Sequence, residues 1–302
     1  MKKTLMAISA ACLFFACGNG QKTKQPAADS TAVKTEVQST QKESEDPSFE
    51  NGVLMVNGVR YEFALVKGGT FTMGATPEMT DADDCEKPAH KVTLAYGYYM
   101  GKTEVTVGLW KAVTGKYPPG QEDETDLKKP VDNVSQEECE SFIEDLNSLL
   151  GTQYFHLPTE AEWEFAARGG NNSKHYIYSG SNTLEDVAWN EEGNVVAHAY
   201  DVATKKPNEL GIYDMSGNVW EWCIDGWEDY KSEPQTNPVG INAEHYGVLR
   251  GGNCTCADFY CRVSYRDKQH QTEKVLDRYS PLRGFRITII ENWDEPEEEE
   301  GL

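Results

Sequence analysis

The chain has 302 residues, with 28 basic and 50 acidic side chains, a formal net charge of −22 and a pI near 4.6. Such an acidic surface repels phosphate backbones and excludes nucleic acid as a natural partner. A hydrophobic content of 38%, with 11% aromatic residues, is enough for a sizeable core in one large domain or two ordinary ones.

The first segment reads as an export signal. Lys2 and Lys3 precede an apolar run from Leu5 to Phe15, too short to span a bilayer as a permanent helix. Ala16 then stands before Cys17, a pattern that resembles a bacterial lipobox. Residues 1–16 are therefore expected to be a lipoprotein signal peptide, with the thiol of Cys17 lipidated and anchoring the chain to a membrane. Residues 17–47 are poor in large apolar side chains and rich in Gln, Lys, Thr, Ser, Ala and Glu. Such a stretch cannot offset chain entropy by burial and is expected to be a disordered tether. Residues 293–302 form an acidic tail, read as a solvated like-charge run.

Between them, residues 48–292 are expected to form one globular domain. Val53–Val56 and 59–63 flank Asn57 and Gly58, a hairpin signal. Further short strands are predicted near 64–66, 70–74, 91–94 and 98–100. Ser135 and Glu138 make a capping box, followed by Cys139, Phe142, Ile143, Leu146, Leu149 and Leu150 on one helical face, with Gly151 as the stop. Thr159 and Glu162 make a second capping box, with Ala161, Phe165 and Ala166 or Ala167 facing inward and Gly169 just past the helix end.

The segment 208–223 holds Gly211, Gly217, Trp220, Trp222, Asp214, Glu221 and Cys223. Each glycine would cost a regular element roughly 0.5–1 kcal/mol, which predicts irregular backbone wound around large rings. Carbonyls and carboxylates would converge there, and a hard cation such as calcium could brace them. Six cysteines lie beyond the leader and lipid site: Cys85, Cys139, Cys223, Cys254, Cys256 and Cys261. Export places them in an oxidising compartment, where several pairings are open. Cys139 is expected to pack as a small apolar residue in its helix, and His90 and His156 as satisfied core histidines.

Several blocks in order resemble the formylglycine-generating enzyme family, or sulfatase-modifying-factor domain. They are 66–74, 86–90, 102–106, 130–134, 157–170, 208–222, Arg250-Gly251-Gly252 and Gly284-Phe285-Arg286. The resemblance implies an α+β, C-type-lectin-like fold with little regular secondary structure. It also implies calcium ligands at Asp214, Gly217, Val219 and Glu221, the glycine and valine through carbonyls, with Glu86 as a further acidic position. A second calcium site would fall near Asn190 and Asn194. Active members use two thiols with copper(I) and dioxygen to oxidise a substrate cysteine, and Cys256 and Cys261 match that pair in separation. Asn253 stands where active enzymes carry serine, and the segment after Cys261 is shorter than theirs. Cys261 then also matches a cysteine of members without known oxidase activity, for which a Cys223–Cys261 disulfide would be natural.

Two functional readings follow. The preferred one is an envelope-anchored, non-catalytic, calcium-stabilised binding or scaffold module that offers loops 253–283 to an envelope protein or glycan partner. The alternative is a formylglycine-generating oxidase acting through Cys256 and Cys261 on an unfolded sulfatase segment. Localisation in both is the bacterial cell envelope, on the periplasmic or outer-membrane face.

Overall fold

The computed structural model describes residues 46–190, 199–240, 246–271 and 282–290. The leader, the tether up to residue 45 with Cys17, and the acidic tail lie outside these residues, as does Asn194. Among the described residues no helix is long and apolar enough to cross a membrane.

Three short strands open the domain: β1 (Ser48–Glu50), β2 (Val53–Val56) and β3 (Val59–Val66). The β2–β3 hairpin turns at Asn57 and Gly58, both at positive φ, as the Asn-Gly signal predicts. β4 (Gly69–Met73) pairs with β5 (His90–Leu94), and β6 (Tyr98–Gly101) returns beside β3. The helices α1 (Val107–Thr114) and α2 (Gln136–Leu150) follow, then β7 (Phe155–His156), α3 (Glu160–Ala167) and the short α4 (Leu184–Val187). The last strands are β8 (Trp220–Gly226), β9 (Gln235–Thr236), β10 (Tyr246–Arg250), β11 (Arg266–His270), β12 (Arg283–Gly284) and β13 (Thr288–Ile290).

They form three small sheets, ordered β1-β2-β3-β6-β13-β7, β11-β10-β8-β12 and β4-β5-β9. One apolar core joins the first sheet to α1 and α2 through Leu54, Phe63, Leu109, Phe142, Trp222 and Phe285, with Trp110 stacked on Phe142 at 5.2 Å. A second core packs α3 against β4, β5 and β8 through Met73, Leu94, Trp163, Phe165 and Cys223. The expected loop-rich α+β fold is the one observed.

Both predicted capping boxes are present, at Ser135/Glu138 and Thr159/Glu162. Three details differ from expectation. On α2 Leu149 is 43% exposed instead of facing inward, while Leu150 is half-buried and packs against the first core. Every residue of α3 is buried, including Glu160, Glu162 and Glu164, because arginines and backbone amides from other elements meet those carboxylates. The segment 208–223 is irregular only as far as Val219; Trp220 onward is strand β8, whose amides are engaged by β12 on one side and β10 on the other.

Candidate functional site

The irregular loop is organised by asparagine side chains. Asn208 accepts from the amides of Leu210 and Ile212 and donates to Ala166 O and Ser179 Oγ. Asn218, at φ 58°, accepts from Tyr200 N and donates to Glu104 and to Tyr200 O. Asparagine tolerates the left-handed region and bonds nearby backbone, so it can set a loop that has no regular ladder. Gly217 is at φ 85°, and a side chain there would meet Trp189 O at 2.5 Å.

This loop clasps the thiol-bearing turn. Gly217 N donates to Gly251 O, Cys254 N to Asn218 O, and Ser216 Oγ to Cys261 O. After Gly251 and Gly252, the Asn253 side chain folds back to accept from Thr255 N and Oγ1. The next residues bring Cys256 to Cys261, which ends a 3-10 turn at Asp258–Cys261. The two sulfurs are 3.8 Å apart. Asn253 N donates to Cys256 Sγ at 3.2 Å, and Asn190 Nδ2 lies 3.7 Å from Cys261 Sγ and 3.2 Å from Asp258 Oδ1.

The pair is electrostatically unequal. The hydrogen bond from Cys261, aided by the Asn253 amide, holds the Cys256 thiol below its ordinary range against the cost of burial. The same bond, together with burial, pushes Cys261 well above its own. Cys256 is half-buried and Cys261 fully buried. Two sulfurs so placed suit a soft monovalent ion such as copper(I). A cavity of about 480 Å³ lies beside the turn, lined by Tyr178, Asp258, Phe259, Arg262, Asp83 and Glu78 among others.

All six described cysteines are free. The Cys223–Cys261 bridge expected of non-oxidase members is not made. Cys223 packs in the core around α3, whereas Cys261 sits in a separate apolar cluster with Leu184 and Ala188. The arginine register is also compatible with the thiol pair: Arg262 binds Glu86 and Arg266 binds Glu160 at 2.7 Å through two hydrogen bonds while Cys261 still faces Cys256.

The expected calcium ligands divide into two kinds. Glu221 is fully buried and forms a bidentate pair with Arg286 at 2.6 Å, and also accepts from Trp163 Nε1 at 2.7 Å. Glu86 is likewise committed, to Arg262 and Ser264. Neither carboxylate fits a cation while it holds its arginine. Asp214 differs. Its Oδ2 accepts from Ala203 N, but its buried Oδ1 has no partner, and neither has Oε2 of the buried Glu104. Burial pushes Asp214 up to about 6 and Glu104 well above its ordinary range, and each is raised further by neighbouring carboxylates. Two orphaned carboxylate oxygens suit a hard cation, so Asp214 with Glu104 fits calcium and the Glu86 and Glu221 side chains do not. Gly217 and Val219 flank Asn218 on the same loop. Among the described residues no cluster of three or more His, Cys, Asp or Glu side chains has metal-ligating geometry.

Sequence reasoning missed Glu104, although it lies in the 102–106 block; the side chain of Asn190, near which the resemblance places a second calcium site, is turned toward Cys261 and Asp258. Ser216 and Tyr178 were also unmarked; no local pattern shows that they reach the thiol turn.

The fold and this site define a class of protein, and sequence comparison gives the family. Residues 59–289 match the sulfatase-modifying factor enzyme 1-like domain, and the chain belongs to that family. It is 34% identical over 255 residues to the chaperone protein LppX of Paenibacillus barcinonensis, covering 68% of this chain and 83% of that protein. It is 36% identical over 148 residues to the formylglycine-generating enzyme of Streptomyces coelicolor, covering 43% of this chain and 45% of that enzyme. Among solved structures, Treponema denticola variable protein 1 superposes with a TM-score of 0.69 at 27% identity, covering 79% of this chain and 98% of that one.

Proposed function

We propose that this chain is an exported, lipid-anchored member of the family that oxidises a cysteine in an extended polypeptide segment to formylglycine through Cys256 and Cys261. The observation that supports it is the 3.8 Å approach of the two sulfurs, with Cys256 the more acidic of the two thiols. Cys223 and Cys261 lie in separate apolar clusters, which speaks against the bridge that favours a non-catalytic role. Cys256 and Cys261 would hold copper(I), which supplies electron transfer to dioxygen when bound. Asn253 N and Asn190 orient the sulfurs, and the cavity beside Phe259 and Tyr178 gives an extended segment a place to lie. In the overall balance dioxygen accepts four electrons, two from the substrate's cysteine carbon and two from an external thiol reductant. The products are the aldehyde, hydrogen sulfide, water and the oxidised reductant. The test is to incubate the protein with copper, a thiol reductant and a cysteine-containing sulfatase-type peptide in air. Mass spectrometry should show the aldehyde, and Cys256→Ser and Cys261→Ser should each abolish it; no aldehyde from the wild-type chain rejects this reading.

The binding-module reading is favoured by one residue, Asn253, which spends its side chain on the Thr255 turn where active members carry serine. If no aldehyde forms, the same cavity and loops 253–283 would serve an envelope protein or glycan. Under either reading Asp214 and Glu104 would take a structural calcium ion.

A further inference from the structure

We propose that the cleft between β8 and the 228–240 loop is a second binding site, built for a neutral saccharide. It stands apart from the thiol turn, because none of the residues lining it lines the cavity beside Cys256, and it holds under either reading of that pair. The cleft has a volume of about 70 Å³, room for several waters. The groups at its base are buried and fixed. Asp225 accepts from Glu160 N and Gly240 N, each at 2.7 Å, which ties the end of the loop to β8. Arg266, 2% exposed, holds Glu160 through two hydrogen bonds and donates to Glu228 O at 2.8 Å. Gln235 Oε1 meets His90 Nε2 at 3.2 Å, so the Gln235 amide NH2 is its contribution to a ligand. Rigid polar groups in a concave site are what fix a small ligand's orientation.

A sugar ring has an apolar C–H face and a rim of hydroxyls, each of which both donates and accepts. The site offers partners for both. The Arg266 guanidinium lies over Tyr230 and Trp227, 3.9 and 4.2 Å from the ring centroids. Lys268 follows, 5.5 Å from Trp227 and 5.9 Å from Tyr246. This alternation of cation and ring carries an aromatic surface onward from the cleft to Tyr246, which is 45% exposed, while Val239 on the cleft's own lining is 48% exposed. Asp225, Glu228 and Asp229 supply acceptors, and Lys231 and Gln235 supply donors. Hydroxyls that enter can therefore replace waters and reproduce their hydrogen bonds. The same lining disfavours other ligands. Three carboxylates repel a phosphate or sulfate. A hard cation finds no ligand set, because both oxygens of Asp225 already accept amides, Glu160 is paired with Arg266, and Glu228 stands 3.8 Å from Lys231. A protein partner would need a wider apolar face than Val239 and Tyr246 present.

The test places the labelled full-length chain on an array of neutral and acidic oligosaccharides. The neutral hexasaccharide with the strongest signal is then titrated into the chain by calorimetry. Val239→Arg, an exposed change that fills the cleft with a charged chain, should weaken this binding about tenfold or more, and Gln235→Ala about tenfold. Phe259→Ala, in the cavity beside the thiols, should bind the saccharide as wild type does. Melting curves of each variant confirm folding. An array on which acidic oligosaccharides alone give signal, or on which neutral ones give none, overturns the proposal. So does binding that Val239→Arg leaves unchanged, or that Phe259→Ala weakens as much as Val239→Arg, since the sugar would then lie at the thiol cavity. Saccharide binding without aldehyde formation in the aerobic copper assay leaves this inference standing and removes the oxidase; aldehyde without saccharide binding does the reverse.

Discussion

Gly252 sits at φ 72°, and a Cβ built on it would lie 2.9 Å from Cys261 Sγ and 3.0 Å from the Tyr260 carbonyl. Gly252→Ala should therefore cost about 1 kcal/mol or more in stability and push Cys261 away from Cys256. A bidentate arsenical that binds vicinal thiols should lose most of its affinity for this variant, while single-thiol alkylation of Cys256 continues. Glu221 and Arg286 make a different kind of residue-scale prediction, because both are fully buried. Removing one charge leaves the other uncompensated, so Glu221→Gln should lower stability by about 3–5 kcal/mol in calorimetry, and Glu221→Gln combined with Arg286→Met should recover part of that loss. How far these residues were legible in the sequence differs with distance. The Gly-Gly and the separation of Cys256 from Cys261 are local, and the motif carried them. Glu221 was visible as an acid in a motif, but its arginine lies 65 residues on, so the sequence could not show that its charge is already spent. Glu104 and Asn190 owe their places wholly to tertiary approach.

Helix α3 shows the same limit at the level of an element. Its Thr159/Glu162 box was readable, and Thr159→Ala should cost about 1 kcal/mol, measured by denaturant unfolding. Its second support was not readable: Asp225, from β8, accepts from Glu160 N and from Gly240 N, each at 2.7 Å. Burial, with Glu160 nearby, pushes Asp225 up to about 7. Since this folded value lies above the ordinary carboxylate value, the native state binds the extra proton, and stability should fall as pH rises from about 4 to about 7 and then level. Asp225→Asn should remove that component, so the stability of wild type relative to the variant should decline across this window in thermal melts; a constant difference would exclude the assignment. Helix α1 escaped sequence reading for a local reason. Thr106 caps it, but the third helical residue is Leu109 instead of Glu or Gln, and the helix spans only Val107–Thr114 with Gly108 inside. Strand β8 escaped because Trp220–Cys223 was read with the glycine-rich loop before it, whereas the pairing that makes it a strand comes from β10 and β12.

At the scale of the whole molecule, the orphaned oxygens of Asp214 and Glu104 make cation binding testable through global stability. Calcium at about 100 times its dissociation constant should add about 2.7 kcal/mol, a rise of several degrees in melting temperature over chelator-treated protein. Asp214→Asn should abolish most of the response, and a wild-type chain indifferent to both calcium and chelator would remove calcium from the account. The loop-rich α+β class was legible because the motif blocks run in order through the domain. Sheet order was not, since it depends on partners such as β3 with β6 and β6 with β13, which no local pattern announces. That order has a consequence for biogenesis. β13 lies between β6 and the edge strand β7, and Arg286 in the segment just before it neutralises Glu221. A nascent chain stopped at residue 281 would lack the strand that joins β6 to β7 and leave a buried anion unmatched. The first sheet and the Glu221 pair therefore come together only once residues 286–290 are available, so this domain should reach its folded form late in its own synthesis.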